Sequence, residues 1–253
     1  MKKLYLSVII PAYNEAKRLP LTLIDIDKHL ARRDFSYEII VVDNCSIDGT
    51  KEVVKRFGAI IPNVRLIESE CGKGAAIRKG MLEAKGDYRL FTDADNSTSI
   101  DHFDLMIPFL KKGFDVVIGS RDIKGSKMEP PQAWYRRLAG DIGNIIIQVV
   151  LLPGIWDTQC GFKCFSEKAA LKVFPLQRLS GFGFDAEVLA LAKAMGYKTK
   201  EIPVTWVNDP VSKVGIGVYI KVLFDVFRVR FWLLKDTYGI AAVGKISKKV
   251  DNL

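Results

Sequence analysis

Histidine is nearly absent from this sequence: 253 residues hold only His29 and His102. Both lie in contexts unrelated to Cys160-x-x-x-Cys164, so no second pair completes a tetrahedral zinc site there. Cysteine is also sparse. Cys45, Cys71, Cys160 and Cys164 do not make a disulfide framework in a chain of this length, and the expected setting is a reducing cytosol. Long apolar runs are missing. No stretch reaches the ~18 uninterrupted apolar residues of a membrane-spanning helix, and Pro11 ends the run after Met1-Lys2-Lys3 too early for a signal peptide. Repeats and low-complexity tracts are absent. The P-loop pattern Gly-x-x-x-x-Gly-Lys-Ser/Thr and the dinucleotide pattern Gly-x-Gly-x-x-Gly are also missing, which argues against P-loop ATP hydrolysis and hydride transfer. No aromatic-rich RNA motif or helix-turn-helix signature is present, which argues against a nucleic-acid partner.

What is present is a globular composition, 49% hydrophobic and 26% charged. Lysine and arginine total 38 against 29 acids, a net charge of +9 that favours an anionic partner such as a phosphorylated substrate or an acidic membrane surface. Near-continuous apolar runs predict strands over Leu6–Pro11, Glu38–Asp43, Asn63–Glu68, Tyr88–Thr92 and Asp115–Gly119. Helical segments alternate with them, over Leu19–Arg33, Thr50–Phe57, Gly72–Ala84 and Ile100–Lys112. That alternation predicts a mostly parallel sheet covered by helices on both faces. The second half is less regular, with helices over Trp134–Leu152 and Phe184–Met195 and a strand over Glu201–Val207. No linker is long or polar enough to separate two independent domains.

In open parallel sheets ligands sit beyond the carboxyl ends of the strands. Polar residues gather at those ends: Asn14-Glu15, Asp43-Asn44, Asp93 with Asp95, and Ser120-Arg121. Asp93 and Asp95, flanking Ala94, share one side of extended backbone. Held that close, the two carboxylates call for a cation between them, and Mg²⁺ or Mn²⁺ with substrate phosphates completing its shell meets that need. Tyr13, just after Pro11, offers a ring to stack on a base. Asp43 offers a carboxylate to a base or a ribose hydroxyl. Gly72-Lys73-Gly74 has the look of a phosphate cradle at a helix N-terminus. Asp157 and Asp185 stand as candidate orienting or base residues, with buried ion pairs to Lys163 or helix capping as the alternative. Arg121 and Tyr135-Arg136-Arg137 offer guanidinium groups to a phosphate, with ordinary surface ion pairs as the alternative.

The motifs Ser7-Val-Ile-Ile-Pro-Ala-Tyr-Asn-Glu15, Ile40-Val-Val-Asp43, Asp48-Gly-Thr50, Gly72-Lys-Gly74 and Asp93-Ala-Asp95 resemble the inverting family-2 glycosyltransferases of the GT-A fold, across residues 4–215. Asp157-Thr-Gln-Cys-Gly-Phe-Lys163, Phe184-Asp185-x-Glu187 and Gly119-Ser-Arg121 are similar to the branch that includes dolichyl-phosphate β-glucosyltransferases. The resemblance implies a nucleotide-sugar donor, first UDP-glucose and second GDP-mannose, a divalent cation, and a polyprenyl phosphate acceptor. It implies that Pro11, Tyr13, Glu15 and Asp43 line the nucleoside pocket, with Lys73 and Arg78 near the donor. Asp93, Ala94 and Asp95 would hold the metal on the diphosphate. Arg121 and Arg136 would bind the acceptor phosphate, and Lys213 would close over the site. Gly140 stands where related phosphate-acceptor enzymes carry a serine. A phosphate acceptor is already anionic, so positioning and electrostatics would supply most of the rate. A non-catalytic nucleotide-sugar or nucleic-acid binder is the alternative class.

The catalytic domain is expected over residues 1–215 and a C-terminal amphipathic helix with a basic tail over 216–253. In that helix Lys221, Asp225, Arg228 and Lys235 recur on one polar face, with apolar residues filling much of the rest. Such a helix lies in a bilayer interface or packs on the domain or a second subunit. The expectation is peripheral attachment at the cytosolic face of a membrane.

Overall fold

A computed structural model of the chain describes residues 4–130, 134–207 and 216–240, the side chains of 134–139, 141 and 216 excepted. Strands Leu6–Ala12 (β1), Tyr37–Asp43 (β2), Val64–Glu68 (β3), Tyr88–Thr92 (β4) and Val116–Ser120 (β5) alternate with helices Leu19–Leu30 (α1), Thr50–Ile60 (α2), Lys73–Glu83 (α3) and Phe103–Lys111 (α4). There follow strand Lys127–Glu129 (β6), helix Trp134–Val150 (α5), strand Phe162–Ser166 (β7), and helices Glu167–Val173 (α6) and Phe184–Ala194 (α7). Strands Thr199–Pro203 (β8) and Thr205–Val207 (β9) and helix Ile216–Leu234 (α8) complete the described chain.

The main sheet runs β3-β2-β1-β4-β7-β5-β8, and β6 pairs with β9 in a separate ribbon. Neighbours in the main sheet are parallel except around β7, which is antiparallel to both β4 and β5. Every residue of β2 is buried, as expected of a parallel strand covered on both faces. Alternation along β1 divides the core: Val8 and Ile10 pack with Leu19, Leu23 and Met106 on one face, and Ile9 with Ile77 and Met81 on the other. The α1 residues Leu19, Leu23, Ile26 and Leu30 are buried at helical spacing, which seats one stripe of that helix on the sheet.

Several expectations shift. Pro11 does not stop β1; the strand runs to Ala12. Pairing with β4 ends at Ile9 while pairing with β2 continues, so the missing N–H of Pro11 falls beyond the β4 ladder. The strand expected over Glu201–Val207 divides at Val204, so β8 joins the main sheet while β9 carries Trp206 to the ribbon. Cysteine brings the largest correction. Cys45, two residues after the end of β2, and Cys71, two residues before α3, form a disulfide with Cα atoms 5.5 Å apart across a separation of 26 residues. Parallel pairing of β2 with β3 brings these two loops to one edge, which spacing alone does not reveal. Cys160 and Cys164 are free and buried.

The C-terminal helix is also oriented differently from the expectation. Asp225 does not share an exposed polar face; it is buried, along with Val222, Val226 and Val229. Its carboxylate lies at the start of α7, where a Cβ on Gly183 would stand 2.6 Å from Asp225 Oδ2. The positive end of the α7 dipole accounts for an acid there. The aromatic residues Tyr219, Phe224, Phe227 and Phe231 are left exposed. Among the described residues no helix is long and apolar enough to cross a membrane.

Candidate active site

The carboxyl ends of β1, β2 and β4 lie side by side because those strands are adjacent and parallel. Each gives way to a non-glycine residue with positive φ: Asn14 at 54°, Cys45 at 61° and Asn96 at 55°. Asparagine tolerates that region, which turns the chain sharply off the sheet. The loops are then cross-tied. Asn14 N donates to Ser46 Oγ, Ile47 N to Asn14 Oδ1, and Glu15 N to Thr50 Oγ1. Glu15 accepts from both Arg18 Nε and Nη2. Tyr13 is 51% exposed, so its ring face is open.

Asp43 ends β2 almost fully buried. Its Oδ2 accepts from Ser46 N and lies 3.7 Å from Lys51 Nζ. Its Oδ1 has no hydrogen-bond partner among the described residues. A buried carboxylate oxygen with no donor is costly, so this atom awaits one.

Asp93 and Asp95 follow β4. Burial and the neighbouring Asp93 charge push the Asp95 carboxyl above the usual range, with Arg18 opposing from 3.9 Å. Lys73, the first residue of α3, places Nζ 2.6 Å from Asp93 Oδ1. Behind them, Lys163 on β7 is buried and donates to Asp185, at the start of α7, and to the carbonyl of Cys160. Burial alone would lower the Lys73 ammonium; Asp93 and Asp185 outweigh it and hold it above its ordinary value. Burial raises Asp185, against the pull of Lys163 and Lys73. Positive and negative groups thus alternate from Lys163 through Asp185 and Lys73 to Asp93.

Asp157 is fully buried and saturated. It accepts from the backbone N–H groups of Arg121, Gln159 and Cys160 and from the Arg121 side chain, Nε at 2.7 Å and Nη2 at 2.9 Å. Burial opposes ionisation, but Arg121 holds the carboxyl below the usual range. Of the roles raised for Asp157, the geometry here is that of an orienting anchor for Arg121, with its lone pairs already engaged. Asp185 is likewise committed to Lys163, the ion-pair alternative raised for it. Arg121 is braced on its other side by the Trp206 ring, 5.5 Å away.

The phosphate cradle is corrected too. Gly72 N donates to Asn44 Oδ1, while Gly74 N and Ala75 N donate to Ser180 O. These helix-terminal amides are engaged, and the glycines serve close packing: a Cβ on Gly72 would lie 2.4 Å from Ser180 O and one on Gly74 2.6 Å from Leu179 O. The Lys73 side chain points instead to Asp93. Arg78, expected near the donor, instead donates to the carbonyls of Phe174 and Pro175 and lines a cavity of about 490 Å³ with Arg178, Trp232 and Tyr238. Arg136 lies in α5, but its side chain is outside the described residues, as is Lys213 altogether. Ala94 is buried, and its carbonyl accepts from Thr22 Oγ1.

The profile described as Glycosyl transferase family 2 matches residues 7–174. The chain belongs to this family. A dolichyl-phosphate beta-glucosyltransferase of Trichomonas vaginalis is 35% identical to this glycosyltransferase over 92% of its chain and 77% of the relative. One of Dictyostelium discoideum is 36% identical over 94% and 77% respectively, and one of Saccharomyces cerevisiae is 31% identical over 94% and 77%. Solved structures share the fold. Glucosyl-3-phosphoglycerate synthase of Mycobacterium tuberculosis superposes with a TM-score of 0.67 at 19% identity, over 90% of this chain and 81% of that one. Its complex with Mn²⁺, UDP and phosphoglyceric acid gives 0.66 at 18%, over 90% and 79%. The architecture is the GT-A fold.

Among the described residues of this glycosyltransferase, no group of three or more His, Cys, Asp or Glu gathers to cage a metal. Asp93 and Asp95 nonetheless fit a divalent cation, since two hard carboxylates leave the remaining positions to diphosphate oxygens and water. Gly161, present in the Asp157–Lys163 motif without a role of its own, packs its Cα on Asp93, and Trp206, which no motif includes, braces Arg121. Lys163 carried a usable signal: a lysine between Phe162 and Cys164 in an otherwise apolar strand has to find a buried acid.

Proposed function

We propose that this glycosyltransferase moves glucose from UDP-glucose to dolichyl phosphate or a related polyprenyl phosphate, with inversion at the anomeric carbon. The observation that carries this reading is the likeness, over nearly the whole chain, to proteins named dolichyl-phosphate beta-glucosyltransferase. The site supports it chemically. Asp43 Oδ1 accepts the base N–H that its burial demands, and Tyr13 covers the base. Asp93 and Asp95 hold Mg²⁺ or Mn²⁺ against the donor diphosphate. A bound divalent cation offsets the charge that develops on the departing nucleoside diphosphate.

The acceptor phosphate brings its own negative oxygen, so the chain's residues position rather than deprotonate. Arg121 has one guanidinium nitrogen, Nη1, without a hydrogen-bond partner among the described residues. Asp157 and Trp206 fix the rest of that side chain, which leaves Nη1 pre-organised for an anion. Arg136 and Lys213 complete the acceptor side in this reading. The exposed aromatic residues of α8, with Arg228 and Lys235 beside them, rest on an acidic bilayer where the lipid acceptor resides. We propose attachment at the cytosolic face, the side that supplies nucleotide sugars; a Cys45–Cys71 bridge that persists there sets aside the reducing setting expected from the cysteine count.

The test is a panel of radiolabelled UDP-glucose, UDP-galactose, UDP-N-acetylglucosamine and GDP-mannose, offered with a short polyprenyl phosphate, with and without Mn²⁺. Lipid-linked label is expected from UDP-glucose, in the presence of metal, and to be lost in Asp95→Ala. Preferential use of GDP-mannose, or full turnover by Asp95→Ala, overturns the donor or the metal assignment respectively.

A further inference from the structure

Lys73 is paired with Asp93, one of the two carboxylates that a divalent cation would use. Its Nζ lies 2.6 Å from Asp93 Oδ1, and a divalent ion bound to that carboxylate would meet a positive charge at close range. Lys73 has somewhere else to go. Asp185 acts on it electrostatically from behind and is itself held in place by buried Lys163. The Lys73 side chain is 19% exposed, and its ammonium lies 5.7 Å from the centre of the Phe182 ring. It therefore stands at the margin of the site, able to follow a diphosphate without leaving the protein.

We propose that Lys73 is a built-in counter-ion that holds the cation position at Asp93 in the empty site and gives it up when a donor diphosphate arrives, so that metal and nucleotide bind interdependently. This inference rests on the reading of Asp93 and Asp95 as the metal site. Charge counting supports it. Asp93, Asp95 and Lys73 together carry one negative charge, with Arg18 close to Asp95. A divalent cation alone would turn that trio positive and press the ammonium against the metal. A divalent cation arriving with a diphosphate supplies Lys73 with new oxygen partners and restores the balance. Lys73 thus weakens metal binding in the absence of nucleotide and strengthens nucleotide binding in the presence of metal, and linkage makes the two effects reciprocal.

The test is a Mn²⁺ titration of the full chain followed by electron paramagnetic resonance of the free ion, with and without UDP. The proteins are wild type, Lys73→Gln, Lys73→Met and Lys73→Arg. Wild type is expected to bind Mn²⁺ weakly alone and tightly with UDP. The neutral variants should bind Mn²⁺ alone on the order of tenfold tighter and gain less from UDP, while Lys73→Arg, which keeps the charge, should follow wild type. Neutral variants that bind Mn²⁺ alone no better than wild type overturn the counter-ion role. A wild type that binds UDP but no Mn²⁺ under either condition overturns the metal site itself, and this inference with it.

Discussion

Gly161 packs against Asp93 so tightly that a Cβ on the glycine would stand 2.0 Å from Asp93 Oδ2. The loop before β7 therefore forms one wall of the paired-acid site, and only hydrogen fits there. Gly161→Ala is expected to push Asp93 aside and lower kcat/KM by roughly 100-fold, since a displacement of about 1 Å at a reacting centre costs that much. Mn²⁺ affinity should fall in parallel while the circular dichroism spectrum is retained. An alanine variant with unchanged metal affinity would show that Asp93 is not a ligand.

Asp157→Asn tests the anchor of Arg121. The substitution leaves a guanidinium whose carboxylate partner is gone in a buried setting, a loss on the order of 3 kcal/mol. A clear fall in the urea midpoint with unchanged slope is the expected result. The carboxyl of Asp157 titrates below its unfolded value because Arg121 favours the charged form over the opposing effect of burial. Its contribution is therefore fully present above the unfolded pKa and is lost as pH falls through the lower, folded pKa. Wild type should lose stability steeply in that acid range, and Asp157→Asn should show a shallower dependence.

The Cys45–Cys71 bridge closes a loop spanning 26 residues of separation. Chain-entropy arguments value such a link at about 3.5 kcal/mol, which in a chain of this size moves Tm by roughly 10 °C. Treatment with a dithiol reductant should lower Tm by that order in wild type and leave Cys45→Ser unaffected. Because the bridge joins the segment after Asp43 to the segment before Lys73, UDP affinity should weaken along with it. Equal Tm values before and after complete reduction, verified by thiol titration, would remove the bridge from the stability argument.

Phe224, Phe227 and Phe231 are 72%, 54% and 58% exposed on α8. Such a stripe marks an interaction surface rather than a solvent-facing helix. The protein is expected to float with vesicles rich in anionic lipid, and a variant with all three replaced by serine should stay at the bottom of the gradient. Retention of dimer-sized mass by light scattering, lost in the same variant without any flotation by wild type, would assign the stripe to a second copy of the chain instead.

Much of this architecture is legible without coordinates. Leu6–Ile10, Ile39–Val42 and Tyr88–Thr92 announce buried strands because a parallel sheet covered on both faces requires continuous apolar runs. Asp93 and Asp95 are readable as a pair from their spacing, but not for the reason extended backbone gives: β4 ends at Thr92, and Ala94 and Asp95 lie in a turn that brings the second acid round. Gly72-Lys73-Gly74 misled for a physical reason: glycines that let a helix end approach a ligand are indistinguishable in sequence from glycines that let it approach Ser180.

The alternating sheet, the acids at its strand ends and the membership of this chain among family-2 glycosyltransferases are all written in the linear order of residues. Those features depend on local periodicity and short motifs, and neighbours along the chain enforce them. Three-dimensional packing was needed to give Lys163 to Asp185 rather than Asp157, to tie Asp157 to Arg121, to join Cys45 to Cys71 and to turn Asp225 inward. The first three join segments brought together by strand order, above all by the antiparallel insertion of β7 between β4 and β5, and the last joins α8 to the start of α7. Burial then selects the partner, because a charge removed from water must find its complement wherever the fold has placed one.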